Sequence, residues 1–533
     1  MTQNSNQISI AAIAEEAPKN VVPILIGVML GVLLAALDNS IVSTAMPNII
    51  TQLSGAELYS WPFTAYLLCS TVIIPISGKF ADNYGRKLIY LYGISIFIFA
   101  SFLCGISQTM IQLILARGLQ GMGGGIILSS AFTIVGELFS PRERGKYMGY
   151  VSSMFGFASI LGPSLGGYLT EHFGWHWIFL VNIPLGIIAL LAVYIYMPAN
   201  SSLSLVKKKI EIAGIILLIL AIVPMLLALN WGGDLFDWNS LTIIGMFAFS
   251  AIMLLVFIRN ERQSDNPIIP LHLFQSRIFN VSVISIMLSN ITFFACVIFI
   301  PLYVKSVLNK SASETGATIT PLMLSFVASA IISGRLVANT GKYKFIVMLG
   351  FSFALVGMFL LSQLGVNIPN GYLIPVLILV GSGLGQLTPV FNLCVQNAFP
   401  QRELGVVSSS VAFFRNIGGS LGSAILGAVM LFTLRDEFAV FFQNHQFPAQ
   451  VQQILHKPTD LFNENKIGLL GKFLNKSQIA ELFGTMQIAL PQSLRLIFLI
   501  GFFTSLVGLI FSFFLKEIPM KTQSDMDKER ANR

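Results

Sequence analysis

Long hydrophobic runs, separated by short polar or charged segments, recur along the whole chain. A helix that crosses a bilayer needs about 20 mostly apolar residues. By this criterion the pattern predicts about fourteen spans, near residues 21–49, 60–77, 88–107, 111–137, 145–170, 177–198, 212–229, 240–258, 278–304, 315–337, 345–364, 373–399, 405–433 and 496–515. The predicted fold class is therefore an all-α integral membrane protein.

The stretch 345–401 contains no charged residue, yet it is too long for a single span. A polar segment with a proline and a glycine, Asn367-Ile368-Pro369-Asn370-Gly371, interrupts it. Such a segment favours a turn. We therefore predict two helices joined at this point.

The composition supports a membrane protein. Hydrophobic residues make up 55% of the chain and charged residues only 11%, whereas soluble domains carry about 25% charged residues. The four cysteines are isolated in apolar stretches without metal-ligand spacing, so we expect no metal site and infer nothing about redox state. The N-terminus has no pattern typical of a cleavable signal peptide.

The net charge of +8 reflects the distribution of lysine and arginine between loops. Most of them fall in alternate connections, in clusters such as Arg86-Lys87, Arg142 to Lys146 and Lys207-Lys208-Lys209. Since cytoplasmic loops are enriched in basic residues, this bias predicts a plasma-membrane protein with both termini in the cytoplasm. It also explains the charge without nucleic-acid binding. The long external loop 434–492 is predicted to be a solvated connector.

Two passages repeat along the chain at an offset of about 260 residues. Gly78–Lys87 corresponds to Gly334–Lys342, and Phe139–Gly145 corresponds to Phe399–Gly405. The sequence thus looks duplicated, with two helices inserted between the copies. The predicted organisation is a cytoplasmic segment 1–20, a six-helix bundle 21–206, two inserted helices 207–262, a second six-helix bundle 263–515 and a cytoplasmic tail 516–533. Repeated bundles are typical of transporters, although a channel or scaffold could also be duplicated.

Four motifs fall in order along the chain. They are Leu37-Asp38-Asn39-Ser40 in helix 1, Gly78 to Lys87 after helix 2, Leu115-Ala116-Arg117-Gly118 with Gln120 and Gly121 in helix 4, and Gly149 with Ala158, Gly162, Pro163, Gly166 and Gly167 in helix 5. Together they resemble the major facilitator superfamily, and within it the fourteen-helix drug–proton antiporters. The resemblance covers nearly the whole chain. It implies two six-helix halves and transport by alternating access.

The resemblance implies a conformational latch after helix 2, which in the family holds the outward-facing state. Its residues here are Gly78, Asp82, Gly85, Arg86 and Lys87, joined by Glu137. The second copy of the motif has Ala338 where the first has Asp82. We therefore expect any latch in the second copy to be weaker or absent.

Asp38 and Arg117 are the candidates for proton coupling. Asp38 is the only charged residue between Lys19 and Glu57, and Arg117 is a cation in a stretch that otherwise has no charge. Ionisable residues inside spans are expensive to bury and usually functional, and burial opposed by a nearby cation can tune a carboxyl group for proton transfer. The alternative is a permanent Asp38–Arg117 bridge that only holds helices together. No other carboxylate is expected deep in a span.

The helix 5 motif, comprising Gly149, Gly162, Pro163, Gly166 and Gly167, resembles the antiporter motif of exporters and therefore implies export. Small residues permit close helix packing in lipid. The segment Trp175-His176-Trp177 and the segment around Arg415 in helix 13 also resemble parts of this family. Candidate substrate-binding residues, chosen as polar or aromatic positions in spans, are Asn39, Trp61, Tyr66, Asn290, Phe293, Gln386, Asn392, Gln396 and Arg415.

The chain lacks the Gly-x-x-x-x-Gly-Lys-Ser/Thr run of an ATP-binding loop, so we expect an ion gradient as the energy source, and the resemblance implies that the ion is a proton. We thus predict a monomeric, proton-coupled exporter of small amphiphilic compounds, without a cofactor. The absence of a second deep acid in the later helices favours monovalent, neutral or anionic compounds over dications. Three alternatives remain: an exporter of a lipid, sugar or siderophore; a membrane enzyme, which the scattered histidines do not favour; and a sensor or scaffold that does not transport.

Overall fold

A computed structural model describes residues 21–53, 58–198, 211–233, 235–308, 310, 312–365, 371–444 and 476–520. Segments 1–20, 367–370 and 521–533, for which the sequence predicts a cytoplasmic segment, a turn and a tail, lie outside these residues. So does the middle of the predicted external loop. Within the described residues the protein is entirely helical, with no β-strand.

The described residues form fourteen long helices, of which thirteen are apolar and long enough to cross a membrane. Their bounds are α1 Val21–Leu53, α2 Trp61–Tyr84, α3 Arg86–Gly105, α4 Met110–Leu138, α5 Pro141–His172, α6 Trp177–Tyr196, α7 Ile212–Trp231, α8 Leu241–Gln263, α9 Arg277–Ser306, α10 Ala312–Thr340, α11 Lys344–Ser362, α12 Leu373–Ala398, α13 Leu404–Asn444 and α14 Lys476–Phe513. The predicted fold class is confirmed.

Helix α5 is the long helix that is not apolar enough to count as a span by composition. It begins with Pro141-Arg142-Glu143-Arg144 and carries many glycine and serine residues. It packs against α1 on one side and α10 on the other. Because so much of its surface faces other helices, it does not need the continuous apolar surface of a helix surrounded by lipid.

The helices pack as two groups and a pair. Helices α1 to α6 contact one another closely, as do α9 to α14, and the two groups (the N half and the C half) meet mainly where α5 packs on α10 and α2 packs on α13. Helices α7 and α8 pair with each other, and α7 also contacts α2 and α13. Most of α8 is exposed at the surface of the bundle, as suits a helix that faces lipid.

The connections around Gly85, Ser140, Gly341 and Pro400 lie at the same end of the bundle, here called the basic end. Gly85 adopts a φ of 92° and Gly341 a φ of 70°, in the left-handed region that favours glycine. At this end the tail also docks: the Tyr343 hydroxyl donates to the Lys516 carbonyl at 2.8 Å and accepts from the Ile518 amide. Burial raises the pKa of Tyr343.

Several helix boundaries differ from those expected. The motif predicted as a loop after helix 2 is helical as far as Tyr84 and breaks only at Gly85. Helix α8 continues to Gln263, so that Glu261 is 3% exposed in its last turn and accepts the Ile269 amide at 2.9 Å. Both ends of the predicted loop 434–492 belong to α13 and α14.

Candidate functional site

An ion pair lies inside the N half. Asp38 in the middle of α1 and Arg117 in the first third of α4 are both fully buried, and the Arg117 Nη1 group bonds the Asp38 Oδ2 atom. Two opposite charges buried together cost far less than either alone. The structure thus brings together the two residues that the sequence marks for proton coupling.

Neutral polar side chains complete this buried group, here called the Asp38 network and comprising Asp38, Arg117, Gln120 and Asn182. Gln120 Nε2 donates to Asp38 Oδ1 at 2.7 Å, and Asn182 Nδ2 donates to the same atom at 3.1 Å. Arg117 Nη1 also donates to Gln120 Oε1 at 2.7 Å. The carboxylate on α1 therefore accepts hydrogen bonds from two other helices, α4 and α6, so that the network joins three helices.

Aromatic rings and one exposed amide surround Arg117. Its guanidinium carbon lies 4.5 Å from the centre of the Tyr66 ring and 5.9 Å from that of Phe179, within the range of cation–π attraction. Its Nη2 group reaches the Asn39 Oδ1 atom at 3.5 Å, and Asn39 is exposed. Asn39 thus connects the sealed network to the outside of the N half.

The glycines of α5 bring this helix against both the Asp38 network and the C half. A Cβ atom at Gly162 would lie 2.3 Å from Ser40 Cβ, and one at Gly166 would lie 2.9 Å from the Ile41 carbonyl oxygen. Gly167 is packed less closely, since a Cβ atom there would lie 4.0 Å from the Thr44 Cγ2 atom of α1. Pro163 lies inside the helix. Nearer the basic end, a Cβ at Gly149 would lie 2.4 Å from the Ala330 carbonyl oxygen of α10.

At the basic end, α2 meets α13 through a carboxylate, in what is here called the α2–α13 contact. Asp82 accepts the backbone amides of Gly405 and Val406 at 3.0 and 2.9 Å. These amides are at the N-terminus of α13, where unpaired donors and the helix dipole favour an anion. Arg86 holds the carboxylate at 2.9 Å and also pairs with Glu137.

Helix α5 meets α10 through backbone instead, in what is here called the α5–α10 contact. A Cβ at Gly334 would lie 2.1 Å from the Gly145 carbonyl oxygen, and one at Gly145 would lie 2.7 Å from that of Gly334. Arg142 adds hydrogen bonds to the carbonyls of Ala338 and Asn339 at 3.1 and 3.4 Å. Among the described residues no carboxylate bonds across this contact, and Ala338 stands where the first copy has Asp82.

Hydrogen bonds between the N and C halves lie toward the basic end. They include the Asp82 and Arg142 bonds, a bond from Arg86 to the Gln401 carbonyl at 3.4 Å, one from Arg335 to the Tyr150 hydroxyl at 2.8 Å, and one from Gln396 to the Phe132 carbonyl at 2.9 Å. The halves are therefore fastened together at one end.

The other candidate binding residues have varied surroundings. Three amides donate to their own helices, four residues back: Asn290, Gln386 and Asn392, at 3.1, 3.1 and 3.0 Å. Phe293 packs on Phe326, Trp61 on Trp231. Gln396 is 1% exposed and holds α12 to α4. Arg415 is near Gln396, since both contact Phe132.

The sequence profile described as the Major Facilitator Superfamily matches residues 28–423, which is well over half of the chain. This chain belongs to the major facilitator superfamily.

Named relatives agree with this assignment and extend over the full length. The multidrug transporter protein MdtP of Bacillus subtilis is 35% identical over 520 residues, covering 95% of each chain. Multidrug resistance protein 3 of the same species is 32% identical over 509 residues, covering 95% of this chain and 97% of its own. The chain is thus a multi-pass membrane transporter of small molecules rather than an enzyme, and its relatives include efflux pumps.

Solved structures with the same fold have little sequence similarity to the transporter. A proton:xylose symporter, XylE, superimposes with a TM-score of 0.60 at 13% identity, covering 96% of this chain and 99% of its own. The human organic anion transporter MFSD10 gives 0.58 at 15% identity, covering 91% and 99%. At this identity the likeness concerns the fold alone.

Sequence reasoning assigned no role to several residues that complete the site. Gln120 lies three residues after Arg117, on the same face of α4, and this spacing is a usable signal. Asn182 is a polar residue at the start of an otherwise apolar helix, which is a second signal. The bond between Thr64 of α2 and Asn230 of the inserted α7, at 3.1 Å, has no such signal because it depends on how α7 docks.

Helix α7 closes a small cavity at the side of the transporter. The cavity has a volume of about 220 Å³ and lies between α2, α7 and α13, beside Thr64, Asn230 and Ser420. Sites for drug-sized ligands usually measure about 300–1,000 Å³, so this cavity is too small for such a ligand. Among the described residues no group of histidine, cysteine and acidic side chains has the arrangement of a metal site.

Proposed function

We propose that this transporter exports small amphiphilic compounds in exchange for protons across the plasma membrane, by alternating access. The observation that carries the proposal is the fully buried Asp38–Arg117 pair, with Asn39 connecting it to the outside of the N half. The names of the two Bacillus relatives, at 35% and 32% identity, support a multidrug substrate range. One chain supplies both halves and both contacts between them, so we propose a working monomer.

The proposed orientation places the basic end, and with it both termini, in the cytoplasm. The support is the concentration of arginine and lysine there, including Arg86, Lys87, Arg142 and Arg144, since cytoplasmic loops are enriched in basic residues. In this orientation the α2–α13 and α5–α10 contacts close the cytoplasmic side. The arrangement then corresponds to an outward-facing state, and Asp82, Arg86 and Glu137 act as the latch that holds it.

The proposed coupling begins with a proton that reaches Asp38. Protonation neutralises the carboxylate and leaves Arg117 without its counterion, so the network must rearrange. Helix α5 is suited to pass this change on, because Gly162 and Gly166 contact α1 next to Asp38 while Gly149 contacts α10 of the other half. One continuous helix thereby joins the proposed proton site to the α5–α10 contact.

The energy available from one proton is sufficient for useful export. One charge that crosses 100 mV releases about 2.3 kcal/mol. Since about 1.4 kcal/mol corresponds to a tenfold ratio, this supports roughly 50-fold accumulation. A single titrating carboxyl group therefore meets the energetic requirement.

Inverted vesicles that carry the full-length transporter test the proposal. Lumenal pH is followed with a dye while amphiphilic cations, neutral compounds and anions are added one at a time, with wild type beside Asp38→Asn and the exposed-loop control Asp265→Asn. We expect a substrate to release lumenal protons in wild type and in Asp265→Asn but not in Asp38→Asn. Equal responses in all three would make Asp38 structural, and silence of wild type with every compound would count against antiport.

A further inference from the structure

Arg415 is a cation of the C half that faces two aromatic rings of the N half. It lies in α13 and is 8% exposed. Its guanidinium carbon is 5.0 Å from the ring centre of Phe155 in α5 and 6.0 Å from that of Phe132 in α4. The guanidinium therefore lies at the surface where the two halves meet, about one third of the way along α13 from the basic end.

The described part of the protein provides no anion for Arg415. No hydrogen bond or ion pair joins its guanidinium to a described residue. The buried or half-buried acids of the described spans are engaged elsewhere: Asp38 with Arg117, Asp82 and Glu137 with Arg86, and Glu261 with the Ile269 amide. Arg415 thus differs from Arg117, whose charge is fully paired within one half.

A buried cation without an ion-pair partner needs stabilisation, and the two rings supply only part of it. Burial within a membrane protein disfavours a charge strongly, and cation–π attraction offsets a fraction of that cost. A guanidinium has five donors in a planar fork that matches a carboxylate, and the rings leave these donors unused. The geometry therefore suits a ligand that brings its own carboxylate and an apolar body.

We propose that Arg415 binds the carboxylate of an acidic amphiphile, whose apolar part lies against Phe132 and Phe155. This rests on the proposed export function and names its substrate class. Opening the cytoplasmic end would move α13 away from α4 and α5 and expose Arg415 to the cytoplasm, where such a compound enters. Closing that end would return the two rings over the bound guanidinium.

A series of three probes with one scaffold tests the substrate class: 6-phenylhexanoate, 6-phenylhexanamide and 6-phenylhexylamine. Their affinities are measured by equilibrium binding to the purified full-length transporter in nanodiscs, without a pH gradient. We expect the acid to bind wild type at least about tenfold more tightly than the amide, equivalent to about 1.4 kcal/mol. Arg415→Gln should remove this preference and leave the amide unchanged.

Two further variants separate the site from a general effect on folding. Arg277→Gln is the matched control, because Arg277 also lies over a ring, 5.3 Å from the centre of Phe514, but is exposed; its acid preference should equal that of wild type. Arg415→Lys keeps the charge but loses the planar fork, so its preference should fall several-fold. It provides the test if Arg415→Gln does not fold.

The outcomes distinguish this site from the proposed antiport. An acid that binds no more tightly than the amide, or a preference unchanged by Arg415→Gln or Arg415→Lys, would overturn the site. Proton release by each probe is measured in parallel in inverted vesicles and counted as the part that wild type shows and Asp38→Asn lacks, because a weak base or acid also shifts lumenal pH by crossing the bilayer unaided. Arg415-dependent binding without proton release would leave the site standing and reject antiport. Proton release by the amine, without preferential binding of the acid, would leave antiport standing and reject the site.

Discussion

The α2–α13 and α5–α10 contacts occupy equivalent places in a duplicated chain, yet different forces hold them. At the first, the Asp82 carboxylate accepts two amides at the start of α13 and is paired with Arg86. At the second, the backbones of Gly145 and Gly334 touch directly. The first adds a buried charge to close glycine packing, since a Cβ at Gly78 would also lie 2.6 Å from the Gly405 carbonyl oxygen. The second has the glycine packing and the Arg142 bonds but no carboxylate among the described residues, so it depends mainly on the absence of two side chains.

This difference gives the two contacts different roles in holding the basic end closed. An electrostatic contact near an interface is sensitive to protonation and to its charged neighbours, so it can bias an equilibrium between two states. A contact between glycine backbones is short-ranged and is lost as soon as the helices separate. We therefore interpret the α5–α10 contact as one whose strength stays constant while the basic end is closed. The α2–α13 contact is one whose strength changes with protonation and with its charged neighbours.

The largest effect is expected from filling the steric contact with Gly334→Val. A Cβ at this position would lie 2.1 Å from a backbone oxygen, which cannot move away as a side chain can. Overpacking of this kind costs about 3 kcal/mol, or roughly 150-fold in the ratio of closed to open basic ends. The measurement is the distance between spin labels at Glu171 and Ala317, exposed toward the opposite end of the bundle.

The matched control for that substitution is Gly316→Ala. It lies on the same helix, and a Cβ there would meet nothing within 4 Å. Its label distances should equal those of the parent protein. If Gly334→Val gave the parent distances as well, the steric interpretation of the α5–α10 contact would be wrong.

A smaller loss of closure is expected from Asp82→Asn. The substitution keeps the shape but removes the charge that bonds two helix-end amides and Arg86. Hydrogen bonds to charged groups contribute about 1.5–3 kcal/mol, so closure should weaken by about 2 kcal/mol, or roughly 30-fold. The same label distances report it, with Asp265→Asn as the exposed control. An effect as small as that of the control would contradict an electrostatic latch.

Adding the missing acid, Ala338→Asp, should strengthen the α5–α10 contact. By the symmetry of the repeat, a carboxylate at 338 would face the N-terminus of α5, and Arg142 already bonds the carbonyl of residue 338 at 3.1 Å. We expect closure to gain about 1 kcal/mol, or roughly fivefold. In the double variant with Asp82→Asn, this gain should recover part of the lost closure. No recovery would mean that the two contacts are not equivalent.

The smallest effect is expected at an exposed contact between a histidine and a glutamate beside α13. His272 and Glu403 lie 3.0 Å apart, with side chains 51% and 34% exposed. Exposed pairs contribute about 0–1 kcal/mol and are screened by salt. His272→Gln should therefore change the ratio of closed to open basic ends by less than about fivefold, the equivalent of about 1 kcal/mol. A loss of closure as large as that of Asp82→Asn would mean that Asp82 is not the main electrostatic group of the α2–α13 contact.

Much of the fold could be predicted because lipid imposes a strong length and polarity requirement on each helix. The fourteen helices, including the two within 345–401, were predictable from long runs without charge. The end of α8 was not, because Glu261 has a carboxyl group and yet is buried against a backbone amide. The helical part of the motif before Gly85 was also missed, since a polar segment after a span is typical of a loop.

The fold class, the repeated motifs and the positions of Asp38, Arg117 and Arg415 as charges within spans could all be read from the sequence. A charged residue in an apolar run can be recognised without any knowledge of how the helices pack. Which of these charges have partners depends on the packing of the helices. Asp38 and Arg117 lie on helices that the chain separates by some eighty residues, and their pairing depends on how α1 packs against α4. Within the described part of the chain Arg415 has no ion-pair partner for the same reason: the packing of α13 against α4 and α5 presents the rings of Phe132 and Phe155 to it.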